Sequence, residues 1–149
     1  MLSTRYATQN DLPDVYVMYL AALEERKTPK INEGKALNYV LESWARAPCI
    51  LLELNGGVIG FAGLTTIASP YSDMVSLRDY MFYIQPPHRG LRSWRKLCKA
   101  VQDVSDLHKI PFIGEHLLDK DINSHLRLIR SAGASPLAIL AVYGENHGF

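Results

Sequence analysis

Apolar positions recur along this chain at two spacings, and the switches between them mark out its elements. Leu2 to Ala7 reads as a short first strand. Thr8-Gln9-Asn10-Asp11 then has the form of a helix start: Thr8 can cap, and the Asp11 carboxylate can reach back to the cap amide. Pro13 is tolerated in a first turn, and Leu12, Val15, Tyr19, Ala22 and Leu23 follow at helical spacing until the charged run Glu24-Glu25-Arg26-Lys27. A second helix is predicted from Asn32, where Leu37, Val40, Leu41 and Trp44 give the stripe of a buried face, and Pro48 closes it. Cys49 to Leu54 is dense in apolar residues, as in a strand buried on both faces. Asn55-Gly56-Gly57 accepts the positive φ of a tight turn, and Val58 to Ala68 returns, so Cys49–Ala68 reads as a β-hairpin.

Beyond it, Ser69 to Ser76 reads as a polar loop and the aromatic-rich Asp79 to Ile84 as another strand. Gln85-Pro86-Pro87 must end that strand, because proline cannot donate to a sheet ladder. A third helix is predicted from about Leu91 to Leu107, with Trp94, Leu97, Cys98 and Val101 inward. Ile110 to Leu117 follows as a strand. Asp119 or Asp121 can cap a fourth helix, with Ile122, Leu126 and Ile129 inward and Gly133 at its C-terminal end. Leu137 to Tyr143 reads as a last strand. Several consecutive strands lie between helices, which implies an α/β (α+β) fold with a mixed sheet, not a doubly wound parallel one. No repeat or linker divides residues 1–149, so a single domain is expected.

Composition narrows the function classes. A net charge of +1 gives no long-range attraction to nucleic acid or an acidic membrane, so neither partner is expected. Cys49 and Cys98 stand among apolar neighbours, outside any Cys/His cluster, and read as free buried thiols with no metal site. No apolar run approaches the ~20 residues of a membrane span. With no signal peptide in view, a cytoplasmic location is the expectation.

The stretch that carries chemistry is Asp79–Leu97, DYMFYIQPPHRGLRSWRKL. A strand stops at a proline pair, a basic residue and a glycine follow, and a helix opens. Such a helix start offers unpaired amides and partial positive charge to a phosphate. Arg89 and Arg92 would add charge-assisted contacts, and Gly90 would let backbone and ligand approach closely.

In these residues the chain resembles the GNAT superfamily of acyl-CoA-dependent N-acetyltransferases. The element order is similar across nearly the whole chain. Tyr6-Ala-Thr-Gln-Asn-Asp11 looks like the family's opening, Val58-Ile59-Gly60-Phe61 like the segment after its hairpin, and Tyr83-Ile84-Gln85-Pro86-Pro87-His88-Arg89-Gly90 like its "Y-V-x-P-x-x-R-G". With Arg78-Asp79 ahead of Tyr83, the stretch also resembles GNAT-like proteins carried by bacteriophages, which would place the protein in the host cytoplasm or a virion. The resemblance implies a GNAT-like sheet of about six or seven strands flanked by four helices, and acetyl-CoA (CoA) as cofactor. Phe82, Tyr83 and Ile84 would hold the thioester and pantetheine. Arg89, Gly90, Leu91, Arg92, Ser93 and Trp94 would cradle the pyrophosphate, and Asn123 would touch the cofactor from the fourth helix. Dimers are common in the family, so a homodimer is compatible with it. Three departures stand out. Arg92 and Trp94 replace the loop's two later small residues, Ile129 stands where a thiolate-protonating tyrosine is common, and Gly133-Ala134 replaces a glycine–aromatic pair.

Acyl transfer to an amine needs orientation, a donor for the carbonyl oxygen and a base. The Ile84 amide is the natural donor. Asp79 and Glu115 lie on adjacent predicted strands as bases, and Tyr80 and Tyr83 are candidate acids. The function expected is acetyl-CoA-dependent N-acetyl transfer to an amine, on a small molecule or a protein. The alternative is a GNAT-fold protein that has lost catalysis and serves as a structural or interaction component of a phage. Arg92, Arg95, Lys96 and Lys99 also make a basic stripe along the third helix, which reads as a solvated face.

Overall fold

The computed structural model describes residues 1–114, 122–131 and 133. β1 (Leu2–Tyr6) leads through a 3-10 turn at Gln9–Asp11 into α1 (Leu12–Glu25), and α2 (Glu33–Trp44) follows. The first start is capped as the sequence predicts, and the second is capped by Asn32. The Asp11 carboxylate accepts the Thr8 amide at 2.7 Å, and the Asn32 side chain accepts the Lys35 amide at 3.0 Å. β2 (Ile50–Leu54) and β3 (Gly57–Ala68) form the expected hairpin. Its two-residue turn is Asn55-Gly56, with φ of 50° and 84°, both left-handed as a type I′ connection demands.

β4 (Val75–Ile84) starts earlier than the aromatic run predicts, so the expected loop shrinks to residues 69–74. Val75 and Leu77 alternate with Ser76 and Arg78, and that half of the strand pairs with β3 out to Ala68–Val75. α3 (Leu91–His108) crosses over to β5 (Phe112–Ile113), and α4 (Ile122–Ser131) follows. The sheet order is β1-β2-β3-β4-β5, antiparallel except for the parallel β4–β5 pair. Five strands are thus seen among the described residues. The predicted Leu137–Tyr143 strand and the later part of Ile110–Leu117 lie outside them.

Two apolar layers sandwich the sheet. One packs Val15, Met18, Ala22 and Val40 of α1 and α2 on Leu51, Phe61, Met81 and Tyr83. The other packs Leu97, Val101 and Val104 of α3 on Ile50, Leu52, Ala62, Leu64, Leu77 and Ile84. Ile50, Leu51 and Leu52 are consecutive and all buried, because β2 has neighbours on both edges and helices on both faces. On α4, Ile129 is buried and Leu126 half-buried. Among the described residues no helix is long and apolar enough to cross a membrane.

Candidate functional site

The alternation of backbone groups along β4 builds the site. Near its start, the Leu77 amide faces β5 and donates to the Pro111 carbonyl at 2.8 Å. Just past its end, the Gln85 amide faces β3 and donates to the Ile59 carbonyl at 2.8 Å. Strict alternation would make these two odd-numbered residues face the same edge. One extra residue intervenes: Asp79 pairs with Leu64 and Met81 with Gly63, leaving Tyr80 as a bulge. Counting back from Gln85, the amides and carbonyls of Ile84 and Phe82 therefore point away from β3. On that edge the described pairing with β5 ends at Arg78–Ile113. The second half of β4 thus turns a row of peptide groups to an edge that β5 does not fill among the described residues.

The bulge also sorts side chains. Tyr80 and Met81 share the α1–α2 face, where the Tyr80 ring meets Tyr19 and Tyr39 edge-on, with centroids 5.6 and 5.5 Å away. The ring lies over Gly63, where an added Cβ would come 2.2 Å from Cζ. Burial pushes the Tyr80 hydroxyl above the usual phenol range, so it stays protonated. Asp79 pairs in register with Leu64 and so faces α3. Its Oδ1 lies 3.4 Å from where a Cβ on Gly114 would stand.

Six residues after the end of β4, Gly90 caps α3, and the amides of Leu91, Arg92 and Ser93 open the helix without intrahelical acceptors. An added Cβ on Gly90 would meet nothing within 4 Å, so the space beside the helix start is open. Trp94 does not stand in it, since its half-buried side chain packs on the α3-face core. Arg92 is exposed, and with Leu2, Leu91, Arg95, Lys96 and Lys99 it lines a groove of about 580 Å³.

Arg89 acts as a clip. Its Nε donates to the Ile84 carbonyl at 2.7 Å, its Nη2 bonds both Glu25 carboxylate oxygens at 2.8 and 2.7 Å, and its Cζ lies 5.5 Å from the Tyr83 ring centre. Glu25 ends α1 and carries no sequence signal for this pairing. Tyr83 is buried against Phe61 on the α1–α2 face. The predicted pair Asp79 and Tyr83 therefore sit on opposite faces of β4. Asn123 is exposed on the first turn of α4, and Glu115 lies outside the described residues.

A cavity of about 220 Å³ opens on the α1–α2 face where the β4–β5 pairing stops. Arg26 just past α1, Tyr39 of α2, Thr65 and Ile67 of β3, and Arg78 to Tyr80 of β4 line it. Neither cysteine is a ready nucleophile, because burial pushes both Cys49 and Cys98 thiols up to about 12.

No family model matches the sequence, and no curated protein matches it. Solved structures do match it over nearly its full length. A predicted acetyltransferase with acetyl-CoA from Clostridium acetobutylicum has a TM-score of 0.75 at 15% identity, covering 99% of each chain. An aminoglycoside acetyltransferase from an uncultured soil metagenomic sample, in complex with sisomicin, has 0.69 at 17% identity, covering 97% of each. A ribosomal-protein-alanine N-acetyltransferase from Brucella melitensis has 0.68 at 12% identity, covering 97% of this chain and 99% of that one. This chain thus has the fold of the GNAT acetyltransferases.

Proposed function

We propose that this protein is an acetyl-CoA-dependent N-acetyltransferase acting on an amine. The observation that carries the reading is the open edge of β4 leading to the uncrowded start of α3. Peptide groups of Phe82 and Ile84 face that edge, the helix-opening amides follow, and the Gly90 side is empty. An extended amide-bearing arm fits the first element and a pyrophosphate the second. Arg92, Arg95 and Lys96 supply side-chain cations at the helix start, where the loop lacks glycines. The structural neighbour solved with acetyl-CoA supports the choice of cofactor.

Bound acetyl-CoA supplies an acetyl group activated as a thioester. The chain's part would be to orient it and to take the ammonium proton; the second proton of the attacking nitrogen would leave with the CoA thiol as the C–S bond breaks. The Ile84 amide donates to the carbonyl oxygen that gains charge. Asp79, the first residue past the last β4–β5 pair, takes the ammonium proton. Tyr83 is a positioning residue whose ring carries the Arg89 guanidinium. With both thiols held protonated by burial, transfer goes directly to the amine without a cysteine acyl-enzyme.

One contact favours the non-catalytic alternative: Arg89 already occupies the Ile84 carbonyl. Calorimetric titration with acetyl-CoA, CoA and ATP separates the readings. Micromolar binding of both CoA species, with ATP much weaker, is the expected result. No binding at millimolar ligand would leave the chain as a structural component of this fold.

A further inference from the structure

The Arg89 clip holds an atom that a cofactor arm also needs. The Ile84 carbonyl points away from β3 to the open edge, and Arg89 Nε donates to it at 2.7 Å. The guanidinium is held from two further sides. Its Nη2 donates to both Glu25 carboxylate oxygens at 2.8 and 2.7 Å, and its Cζ lies 5.5 Å from the Tyr83 ring centre. Arg89 stands one residue before Gly90, the cap of α3, and its side chain ties the end of α1 to the end of β4.

Two features mark this tie as one that opens. The Arg89 and Glu25 side chains are 44% and 43% exposed, and an ion pair so open to water is weak. Glu25 also ends α1, where a carboxylate meets the negative end of the helix dipole, and the last turn of α1 carries no basic residue. An acid in that position works against its own helix, so what it gains comes from Arg89.

We propose that the clip is a latch on the cofactor edge: in the free protein Arg89, caught by Glu25, covers the Ile84 carbonyl, and acetyl-CoA binds by displacing it. The inference rests on the acetyltransferase reading and adds regulation of that site. An amide of the arm takes the place of Arg89 Nε at the carbonyl oxygen, and apparent affinity is reduced to the fraction of molecules whose latch is open. Glu25 thereby weakens cofactor binding from the end of α1, and removing its charge strengthens it.

The test is calorimetric titration of acetyl-CoA into the full chain, its Glu25→Gln variant and its Glu24→Gln variant. Glu24 is exposed on the same helix turn and makes no contact with Arg89 among the described residues, so its variant reports the general effect of removing one negative charge. The expected result is about three- to tenfold tighter binding by Glu25→Gln, little change in Glu24→Gln, and a Tm for both within about 3 °C of wild type. Equal tightening in both variants would show a field effect, and unchanged or weaker binding by Glu25→Gln would show a structural tie. Either overturns the latch and leaves the acetyltransferase reading standing. A nitrogen-15 spectrum of the arginine side chains follows the displacement itself. The Arg89 Nε–H, protected from solvent exchange in the free protein, should lose that protection on saturation with acetyl-CoA. Protection kept in the complex would mean that Arg89 shares the carbonyl with the arm through its second lone pair, and the latch falls. If wild type binds no acetyl-CoA at millimolar ligand but Glu25→Gln does, the latch is upheld with its closed state dominant. If neither binds, the acetyltransferase reading falls and takes the latch with it.

Discussion

Gly63→Ala puts the bulge under direct load. The added Cβ would stand 2.2 Å from Tyr80 Cζ, 2.4 Å from Cε2 and 2.7 Å from the hydroxyl oxygen. The ring would have to retreat by more than about 1 Å to reach ordinary contact. It has little freedom to do so, because Tyr19 and Tyr39 meet it edge-on and its hydroxyl end is buried. Overpacking of this kind costs about 1–3 kcal/mol, and loss of one or both edge contacts about 0.5–1.5 kcal/mol each. The expected destabilisation is about 2–4 kcal/mol, or a fall of about 5–15 °C in Tm for a domain of this size. Urea unfolding followed by circular dichroism measures it. The cause is isolated by repeating the substitution on a Tyr80→Ala background, where the clash is gone. There Gly63→Ala should cost less than about 1 kcal/mol, and alanine's lower unfolded-state entropy favours it. A Gly63→Ala protein within about 0.5 kcal/mol of wild type, or an equal cost in both backgrounds, would refute the packing argument.

Other substitutions separate stability from binding. Gly90→Glu should raise stability by about 0.3–1 kcal/mol, because a carboxylate at the start of α3 complements the helix dipole, while acetyl-CoA affinity falls at least about tenfold in calorimetry. The Asp11 carboxylate is held well below its usual range, first by Arg5 and then by the Thr8 amide. A depressed folded value means that its contribution is present above the unfolded value near 4 and is lost as pH falls through the folded one. Asp11→Asn should therefore cost about 1 kcal/mol at pH 7, and the gap from wild type should close progressively with acidification in thermal melts. Alkylation of the native protein by iodoacetamide at pH 8 should leave both Cys49 and Cys98 largely unmodified over the time in which urea-unfolded chain reacts fully, as read by mass spectrometry.

Much of this architecture is written in single segments. The stripes of α1 and α3, the Asn55-Gly56 turn and the buried run of β2 each need information from a few neighbouring residues, so each is legible in the sequence; on α2 the expected stripe is off, since Val40 is buried but Leu41 is exposed and the small Ala36 and Ser43 face the core in its place. The site depends on relations between segments, and those are less so. The Tyr80 bulge belongs to the register of β4 against β3 and leaves no mark in DYMFYI itself. Its trace lies on the partner strand, where Gly60 and Gly63 interrupt an otherwise apolar run. An added Cβ at Gly60 would fall 2.5 Å from the Tyr83 carbonyl oxygen, so both glycines record close approach of β4. The Glu25–Arg89 clip spans 64 residues and joins two side chains that look like ordinary solvated charge. Arg26 reaches the cavity by the same kind of long-range placement. Trp94 replaces a small residue of the loop, and a helix turn directs its side chain into the α3-face core.

The bulge links these observations to one physical cause. Leu77 must face β5 to hold the parallel pair together, while Ile84 and Phe82 must face the same edge farther on to meet a ligand. An uninterrupted strand could satisfy both only with an even number of steps between them, and the chain has seven from Leu77 to Ile84. The extra residue at Tyr80 corrects the parity. It also doubles the side chains on one face, so Tyr80 joins Met81 under α1 and α2 and gives the cavity an aromatic wall. By the same step Asp79 remains on the α3 face. A straight β4 would turn Ile84 toward β3 and bury the donor that acyl transfer needs. The geometry of the edge and the aromatic wall of the cavity thus follow from a single local insertion in the strand, which is why substitutions at Gly63 should disturb both.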